Sequence, residues 1–118
     1  MLEALEQHFV DRNAGDVDAV VAVHSDEATI TLRETPWNAA WTGGVDEYVA
    51  WLAPFLGEET GIAWRLDETF FADNHVAFTF IEEKMTGTSL RWLATIEFDL
   101  DSMTFLSIEG FVTGAAEA

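Results

Sequence analysis

Residues 13–29 read NAGDVDAVVAVHSDEAT, and this stretch contains the signals that decide the fold. Gly15 is predicted to end an N-terminal helix, because glycine readily adopts the left-handed backbone conformation of a helix C-cap. Asp16 is then a good N-cap for a second helix, whose apolar face carries three valines and His24 at helical spacing. The β-branched segment 28–32 follows and predicts a short strand. The chain therefore starts with two closely linked helices that lead into a sheet.

The rest of the chain predicts one more helix and then only strands. Residues 33–44 lack periodicity and are expected to be irregular. Apolar residues recur at helical spacing over 45–56, and Pro54 should end or kink that helix. From Ile62 onward, apolar and polar residues alternate in four segments separated by turn signals, which predicts a four-stranded meander. We expect a single α+β domain over residues 1–118, with its helices on one face of a mostly antiparallel sheet.

Charge is very unevenly divided, since 22 Asp and Glu stand against 5 Lys and Arg, for a net charge of −17. Nucleic-acid binding is not expected, because phosphate contacts depend on Lys and Arg. Docking on an anionic membrane surface is excluded for the same reason, and no apolar run approaches the roughly 20 residues that span a bilayer. The absence of cysteine excludes disulfides and thiolate metal sites. The N-terminus lacks the basic start of a signal peptide, so a cytoplasmic location is expected.

The acids are spread along the whole chain rather than gathered in a tail, and Lys84 is the sole lysine. Such a surface repels itself at low salt and destabilises the compact state. Molar salt shortens the screening length to roughly 3 Å and removes that cost. With 49% hydrophobic residues, the chain still has enough apolar side chains for a core. We therefore favour a halophilic source over a generic acidic protein.

The order of these elements, with Asn13–Asp16 before a helix that ends in Asp26–Thr29, resembles the nuclear transport factor 2-like superfamily. That superfamily includes ketosteroid isomerase, polyketide cyclases, scytalone dehydratase and limonene epoxide hydrolase. The resemblance covers nearly the whole chain and implies a cone-shaped roll. In such a roll, a strongly curved sheet wraps three N-terminal helices and leaves a pocket at its open end. The resemblance also implies a homodimer formed through the outer face of the sheet.

Comparison with ketosteroid isomerase implies that this chain lacks that enzyme's acid–base residues. Where the enzyme uses a tyrosine on its first helix, His8 stands here. Leu32 stands at the position of its general base, and Ile96 at that of its protonated aspartate. Because leucine and isoleucine cannot exchange a proton, steroid-type isomerisation by that mechanism is not expected.

Three titratable residues are candidate catalytic residues in the implied pocket. His8 lies at the position of the family's pocket-lining tyrosine, and an unperturbed histidine has a pKa of about 6.5, which suits proton transfer. Glu97 and Glu109 lie in central predicted strands between apolar neighbours, and a glutamate that faces the pocket would have a raised pKa and could act as a base. Either one converging on His8 would form an acid–base pair. The alternatives are a hydrogen-bonded helix histidine and glutamates that face solvent or a dimer interface.

Aromatic residues give the stronger signal for a ligand site, and the candidate ligand-binding residues are Trp37, Trp41, Tyr48, Trp51, Trp64 and Trp92. A buried Trp or Tyr needs a partner for its polar atom. Core packing is the alternative explanation for most of them. Trp37 and Trp41 are harder to assign to a core, because their segment lacks periodicity. We expect these two residues to cap the mouth of an apolar pocket.

The first function hypothesis is a small-molecule pocket protein of the ketosteroid isomerase or polyketide cyclase type, acting as an isomerase, cyclase or hydrolase on an apolar substrate. Its catalytic residues would be His8 with Glu97 or Glu109, and no cofactor or metal ion is expected. One alternative is a non-catalytic module that binds an apolar ligand in the same cavity. Another is a dimeric interaction domain whose cavity is filled by its own tryptophans. The apolar residues at positions 32 and 96 shift weight toward these alternatives.

Overall fold

The computed structural model of the chain describes residues 1–35 and 38–115. Its helices are α1 (Leu2–Ala14), α2 (Val17–Ala22) and α3 (Val45–Leu52), and its strands are β1 (His24–Thr35), β2 (Asn38–Gly43), β3 (Ile62–Ala72), β4 (His75–Lys84), β5 (Ser89–Asp99) and β6 (Thr104–Ala115). Two 3-10 turns, Ala53–Phe55 and Glu58–Thr60, connect α3 to β3. No helix within these ranges has the length and the apolar character needed to cross a bilayer.

The helix boundaries follow the capping signals in the sequence. Gly15 has a left-handed backbone with φ of 76°, and its N–H donates to the Arg12 carbonyl at 3.1 Å, at the end of α1. The Asp16 side chain accepts a hydrogen bond of 3.1 Å from the Ala19 N–H and caps α2. Pro54 lies in the 3-10 turn that follows α3, since proline cannot continue an α-helix without losing a hydrogen bond. All three predicted boundaries are confirmed.

The six described strands form one sheet in the order β2-β1-β6-β5-β4-β3. β1 pairs with β6 in parallel, and all other neighbours are antiparallel. Register shifts occur between β3 and β4 and between β5 and β6, and such irregularities bend and twist a strand. The sheet is curved and not closed, and the helices pack against its inner face. The predicted α+β cone is confirmed.

The first strand is longer than predicted. It begins at His24 and ends at Thr35, well beyond the expected 28–32. His24 therefore opens a strand instead of lying on the face of α2, although its Nδ1 still hydrogen-bonds to the Val20 carbonyl of that helix at 2.7 Å. The strand extends because parallel pairing with β6 continues on both sides of the β-branched centre, and local propensity does not report such pairing.

Part of the segment predicted to be irregular also forms a strand. Residues 38–43 make up β2, which pairs antiparallel with β1 and places Trp41 opposite Leu32. Register shifts between Leu32 and Thr35 interrupt this pairing. The sequence shows no alternation there, and the strand forms because it pairs with β1.

The helices and the inner face of the sheet share one core. Its most fully buried members include Leu5, Val20, Ile30, Phe98 and Phe105. Along β5, alternation sends Ala94, Ile96 and Phe98 to the core and sends Thr95 and Glu97 toward the outer face. This parity decides which side chains of the sheet reach the space beneath the helices.

Candidate functional site

A cavity of about 290 Å³, the inner cavity, lies between α1, α3 and the inner face of the sheet. Aromatic side chains make up much of its wall: Phe9, Tyr48, Trp51, Trp64, Phe78, Phe80 and Trp92. Besides Tyr48, its polar residues are few, with His8 and Arg12 contributed by α1 and Glu82 and Lys84 by β4. A concave, apolar site with a few converging polar groups is the usual form of a small-molecule pocket.

A second cavity of about 670 Å³, the outer cavity, adjoins the inner one. The two share the wall residues Leu32, Tyr48, Trp51 and Trp92. The other described residues of its wall are Arg33, Trp41, Glu47 and Val112. These are exposed or only partly buried, so the outer cavity lies between the inner cavity and the surface.

Five of the six predicted aromatic residues line these two cavities: Trp41, Tyr48, Trp51, Trp64 and Trp92. The rings of Trp41, Tyr48 and Trp51 follow one another, with centroids 6.5 Å and 6.4 Å apart. Trp37, which we expected beside Trp41 at the pocket mouth, lies outside the described residues. The structure therefore gathers these aromatic side chains in one place, and their contact with a ligand stays a prediction.

Arg12 places a buried guanidinium in the wall of the inner cavity. It follows His8 by four residues, so both project from the same face of α1. Only 7% of Arg12 is exposed. Its Nη1 donates to the Tyr48 hydroxyl at 3.3 Å, and its Cζ lies 4.3 Å from the centroid of the Trp64 ring. Tyr48 and Trp64 thus hold the guanidinium in place without neutralising its charge.

Arg12 forms no ion pair with any residue that the structure describes, and its buried Nε has no hydrogen-bond partner among them. Each of the other four basic residues forms an ion pair with a carboxylate. Sequence reasoning missed Arg12, although the signal was present. The residue continues the apolar stripe of Leu5 and Phe9 at helical spacing, in a chain with only five basic residues.

His8 is 5% exposed and also lines the inner cavity. Its ring packs edge-on against Phe105 and His24, with centroids 5.1 Å and 5.9 Å away, and its buried Nδ1 has no hydrogen-bond partner among the described residues. Burial first, and then the positive charge of Arg12, hold the pKa of His8 well below its usual 6.5. The imidazole is therefore neutral at pH 7, the form that can accept a proton.

His24 lies behind His8 and has a different set of partners. Burial lowers the pKa of His24 from its usual value, while its hydrogen bond to the Val20 carbonyl opposes that shift. Because a carbonyl only accepts, this bond places the proton of the neutral ring on Nδ1. His24 is not in the wall of the inner cavity, so the structure favours a packing role for it.

Glu82 and Lys84, which sequence reasoning also missed, line the inner cavity from β4. Glu82 Oε1 accepts a hydrogen bond of 3.1 Å from Trp64 Nε1, and its Oε2 lies 3.7 Å from Lys84 Nζ. In the sequence, Glu82 and Glu83 resemble an ordinary surface pair. The register of β4 places Glu82 opposite Trp64 and on the cavity side, whereas Glu83 pairs with the exposed Arg65.

Glu97 and Glu109 lie on the outer face of the sheet, so the structure does not bring either one to His8. Glu97 is opposite His75, with its side chain 40% exposed and its Oε2 3.8 Å from His75 Nε2. Glu109 has a side chain that is 57% exposed and lies 3.9 Å from Arg33. The reason is strand alternation, because the neighbouring Ile96 and Ile108 take the inward positions. The expected acid–base pair with His8 is therefore not formed.

Leu32 and Ile96 both line the inner cavity. Their side chains offer no group that could exchange a proton. Within residues 1–35 and 38–115, no three His, Asp or Glu side chains come together as a set of metal ligands. The titratable groups that reach the inner cavity are His8, Arg12, Tyr48, Glu82 and Lys84.

No protein-family model matches this sequence, and no curated protein matches it significantly. Solved structures match it throughout. A protein of unknown function with a cystatin-like fold from Methylobium petroleophilum is 18% identical, with a TM-score of 0.78 over 98% of this chain and 76% of that chain. An NTF2-like protein of unknown function from Mesorhizobium loti is 19% identical, with a TM-score of 0.75 over 96% of this chain and 90% of that chain.

A third structure is that of a candidate ketosteroid isomerase from Kribbella flavida. It is 13% identical, with a TM-score of 0.76 over 98% of this chain and 79% of that chain. Identities this low establish the arrangement of the backbone and leave the reaction open, because one fold serves many functions. The predicted resemblance is confirmed at the level of the fold: this chain has the cystatin-like, NTF2-like fold of these solved structures.

Proposed function

We propose that this chain is a small-molecule pocket protein that binds a compact, largely apolar ligand in the inner cavity. The observation that carries the proposal is the cavity itself, about 290 Å³ of space with mostly aromatic and aliphatic walls. Ligand pockets measure about 300–1,000 Å³, so this volume suits a ligand of one or two rings. The chain's own tryptophans line this cavity but leave its volume open, which weighs against a purely structural role.

Proton transfer is the chemistry that the cavity wall supports best, as in an isomerase-type reaction. The imidazole of His8 is the proton acceptor that the cavity wall offers, and a negative charge on the bound molecule would be needed to offset the burial and the Arg12 charge that lower its pKa. Arg12 and the Tyr48 hydroxyl, joined by their hydrogen bond, are donors that would stabilise negative charge developing on that molecule. The route would differ from that of ketosteroid isomerase, because Leu32 and Ile96, which line the cavity, cannot exchange a proton.

Binding is tested by titrating the protein with 2-naphthamide, a neutral two-ring probe, while following tryptophan fluorescence. We expect saturable quenching, because Trp51, Trp64 and Trp92 all line the inner cavity. Gly110→Val should weaken binding by about 10-fold, or about 1.4 kcal/mol, because the added side chain takes up space that the probe needs. Gly110 lines the cavity, and a Cβ there would lie 3.5 Å from the Ala94 Cβ, which is an ordinary van der Waals contact.

Thr95→Val is the matched control, because Thr95 is exposed on the outer face of β5. It should leave the affinity for 2-naphthamide within 2-fold of the original, as a surface substitution generally does. Absence of saturable binding to the unaltered protein would contradict the proposal. Equal weakening by both variants would show that the probe binds elsewhere.

A further inference from the structure

We infer that the ligand carries one negative charge, as an aromatic or alicyclic carboxylate, and that Arg12 binds that carboxylate. This inference rests on the proposed function, because it specifies the chemistry of the molecule in the same inner cavity. It starts from the absence of any counter-charge to Arg12 among the residues that the structure describes.

An unpaired arginine is unexpected in this chain, which has 22 acidic residues to offer as partners. Arg65 and Arg91 lie on exposed parts of the sheet, and each forms an ion pair there. Arg12 is the most buried of the basic residues and has no ion-pair partner among the side chains that the structure describes. A buried charge without a partner is expensive and persists mainly where something else supplies the partner.

The contacts of Arg12 orient its guanidinium without supplying the negative charge of an anion. A guanidinium has five N–H donors in a planar fork that matches a carboxylate. The Tyr48 hydroxyl takes one donor at 3.3 Å. The rings of Trp64 and Phe9 lie 4.3 Å and 5.9 Å from Cζ and can accept no conventional hydrogen bond. Among the described residues, the other donors of Arg12 therefore have no acceptor in the cavity wall.

The charge balance of the inner cavity points to a single negative charge on the ligand. Lys84 and Glu82 form an ion pair with each other, and His8 is neutral because its pKa is lowered. Arg12 is left as one uncompensated positive charge, in a chain whose net charge is −17. A monoanion matches this balance, whereas a cation or a dianion does not.

The remaining wall specifies the rest of the ligand. Ile96, Phe80 and Trp92 present apolar surface to the same space, and the rings of Phe80 and Trp92 are stacked at 5.8 Å with an interplanar angle of 4°. Such a wall favours a flat ring system over a flexible polar chain. The ligand class is therefore a ring system that ends in one carboxylate.

The test compares 2-naphthoate with 2-naphthamide, which have the same shape and differ in charge. Both are titrated at pH 7 in 1 M KCl, where screening lengths of roughly 3 Å suppress repulsion by the acidic surface. We expect 2-naphthoate to bind about 10-fold more tightly or better. Arg12→Met should remove that preference, weakening 2-naphthoate by about 10- to 100-fold and 2-naphthamide by less than 3-fold, because only the charged hydrogen bonds are lost.

Two further variants keep the test decisive. Arg12→Lys retains the charge without the planar fork, so it should keep part of the preference for 2-naphthoate. Arg65→Met removes an exposed, paired arginine and should leave both affinities unchanged. If Arg12→Met fails to fold, as judged by circular dichroism, the two ligands on the unaltered protein and on Arg12→Lys still decide the question.

The outcomes separate the two proposals. Equal affinity for 2-naphthoate and 2-naphthamide would overturn the anionic ligand and leave the pocket function standing. A preference for 2-naphthoate that survives Arg12→Met would place the anion on another group and overturn the role of Arg12. Failure of both ligands to bind would contradict the proposed pocket function, and the inference with it.

Discussion

Arg12 and Arg65 show two ways in which this chain uses a positive charge. Arg65 lies on the outside of the sheet, with its side chain 58% exposed and its Nε donating to Glu83 at 3.2 Å. Arg12 is 7% exposed in the inner cavity, where a hydroxyl and an aromatic ring take the place of a carboxylate. A surface ion pair contributes about 0–1 kcal/mol, whereas an unpaired buried charge costs several times that.

The difference extends from these two arginines to the two regions in which they lie. Only two of the acidic residues whose side chains the structure describes line either cavity, Glu82 in the inner and Glu47 in the outer one. Three of the five basic residues, Arg12, Arg33 and Lys84, do so. The outer surface is thus strongly negative, while the inner cavity has a positive balance. The charges of the outer surface face solvent, whereas those of the inner cavity would face a bound ligand.

Salt is expected to have the largest effect on the stability of the protein, because it screens the repulsion among the acidic residues of the outer surface. Raising KCl from 0.1 M to 2 M is expected to increase the free energy of unfolding by about 2 kcal/mol, since it screens a self-repulsion of several kT. Chemical denaturation with urea at both salt concentrations measures the change. An unfolding free energy that does not rise with KCl would contradict the halophilic source that the composition predicts.

The pH dependence of stability should be smaller and should come from the inside. The pKa of His8 is lower in the folded state than the usual 6.5, so the unfolded chain takes up a proton first as the pH falls. The contribution of His8 to the free energy of unfolding is fully present above about pH 6.5. It decreases below that pH, with a slope approaching about 1.4 kcal/mol per pH unit. His8→Phe keeps an aromatic ring beside Phe105 and should remove this component of the slope.

Urea unfolding of both proteins between pH 5 and pH 8 in 1 M KCl measures that difference. The salt suppresses the contribution of the acidic surface, which changes charge in the lower part of this range. Part of the slope should survive in His8→Phe, because burial also lowers the pKa of His24. Identical slopes for the two proteins would contradict a neutral, buried His8.

The sequence was sufficient for the features of the fold that depend on local signals. Gly15 and Asp16 define the junction of α1 and α2 by backbone conformation and capping, which are properties of the residues themselves. β2 escaped prediction because its hydrogen bonds come from β1, a property of the pairing. Extended strands need their partners, so a sequence without alternation can still form one.

The candidate site was less predictable, because it depends on which face of its strand each side chain occupies and on what surrounds each charged group. Glu97 and Glu82 both lie in strands and differ in the face on which the register places them. Shifting a strand by one residue reverses every side chain, so composition cannot separate an inward glutamate from an outward one. Arg12 was hidden for a different reason. Its role is inferred from the lack of an ion-pair partner among the described residues, which only the tertiary structure shows.

The smallest effect expected concerns the two glutamates on the outer face. Glu97→Gln and Glu109→Gln should each change the unfolding free energy by less than about 0.5 kcal/mol and the affinity for 2-naphthoate by less than 2-fold. Their ion-pair partners, His75 and Arg33, lie 3.8 Å and 3.9 Å away. A 10-fold loss of binding in either variant would contradict the assignment of these side chains to the outer face.

Glu82→Gln is the matched inner variant, because it removes the one acidic side chain that lines the inner cavity among the described residues. It should strengthen 2-naphthoate binding by about 3-fold while leaving 2-naphthamide unchanged, since Lys84 then loses its counter-charge and adds to the positive balance.

Sedimentation of the two outer variants also tests the predicted homodimer. If dimers form through the outer sheet face, substitutions there should shift the monomer–dimer equilibrium, and Glu82→Gln should not.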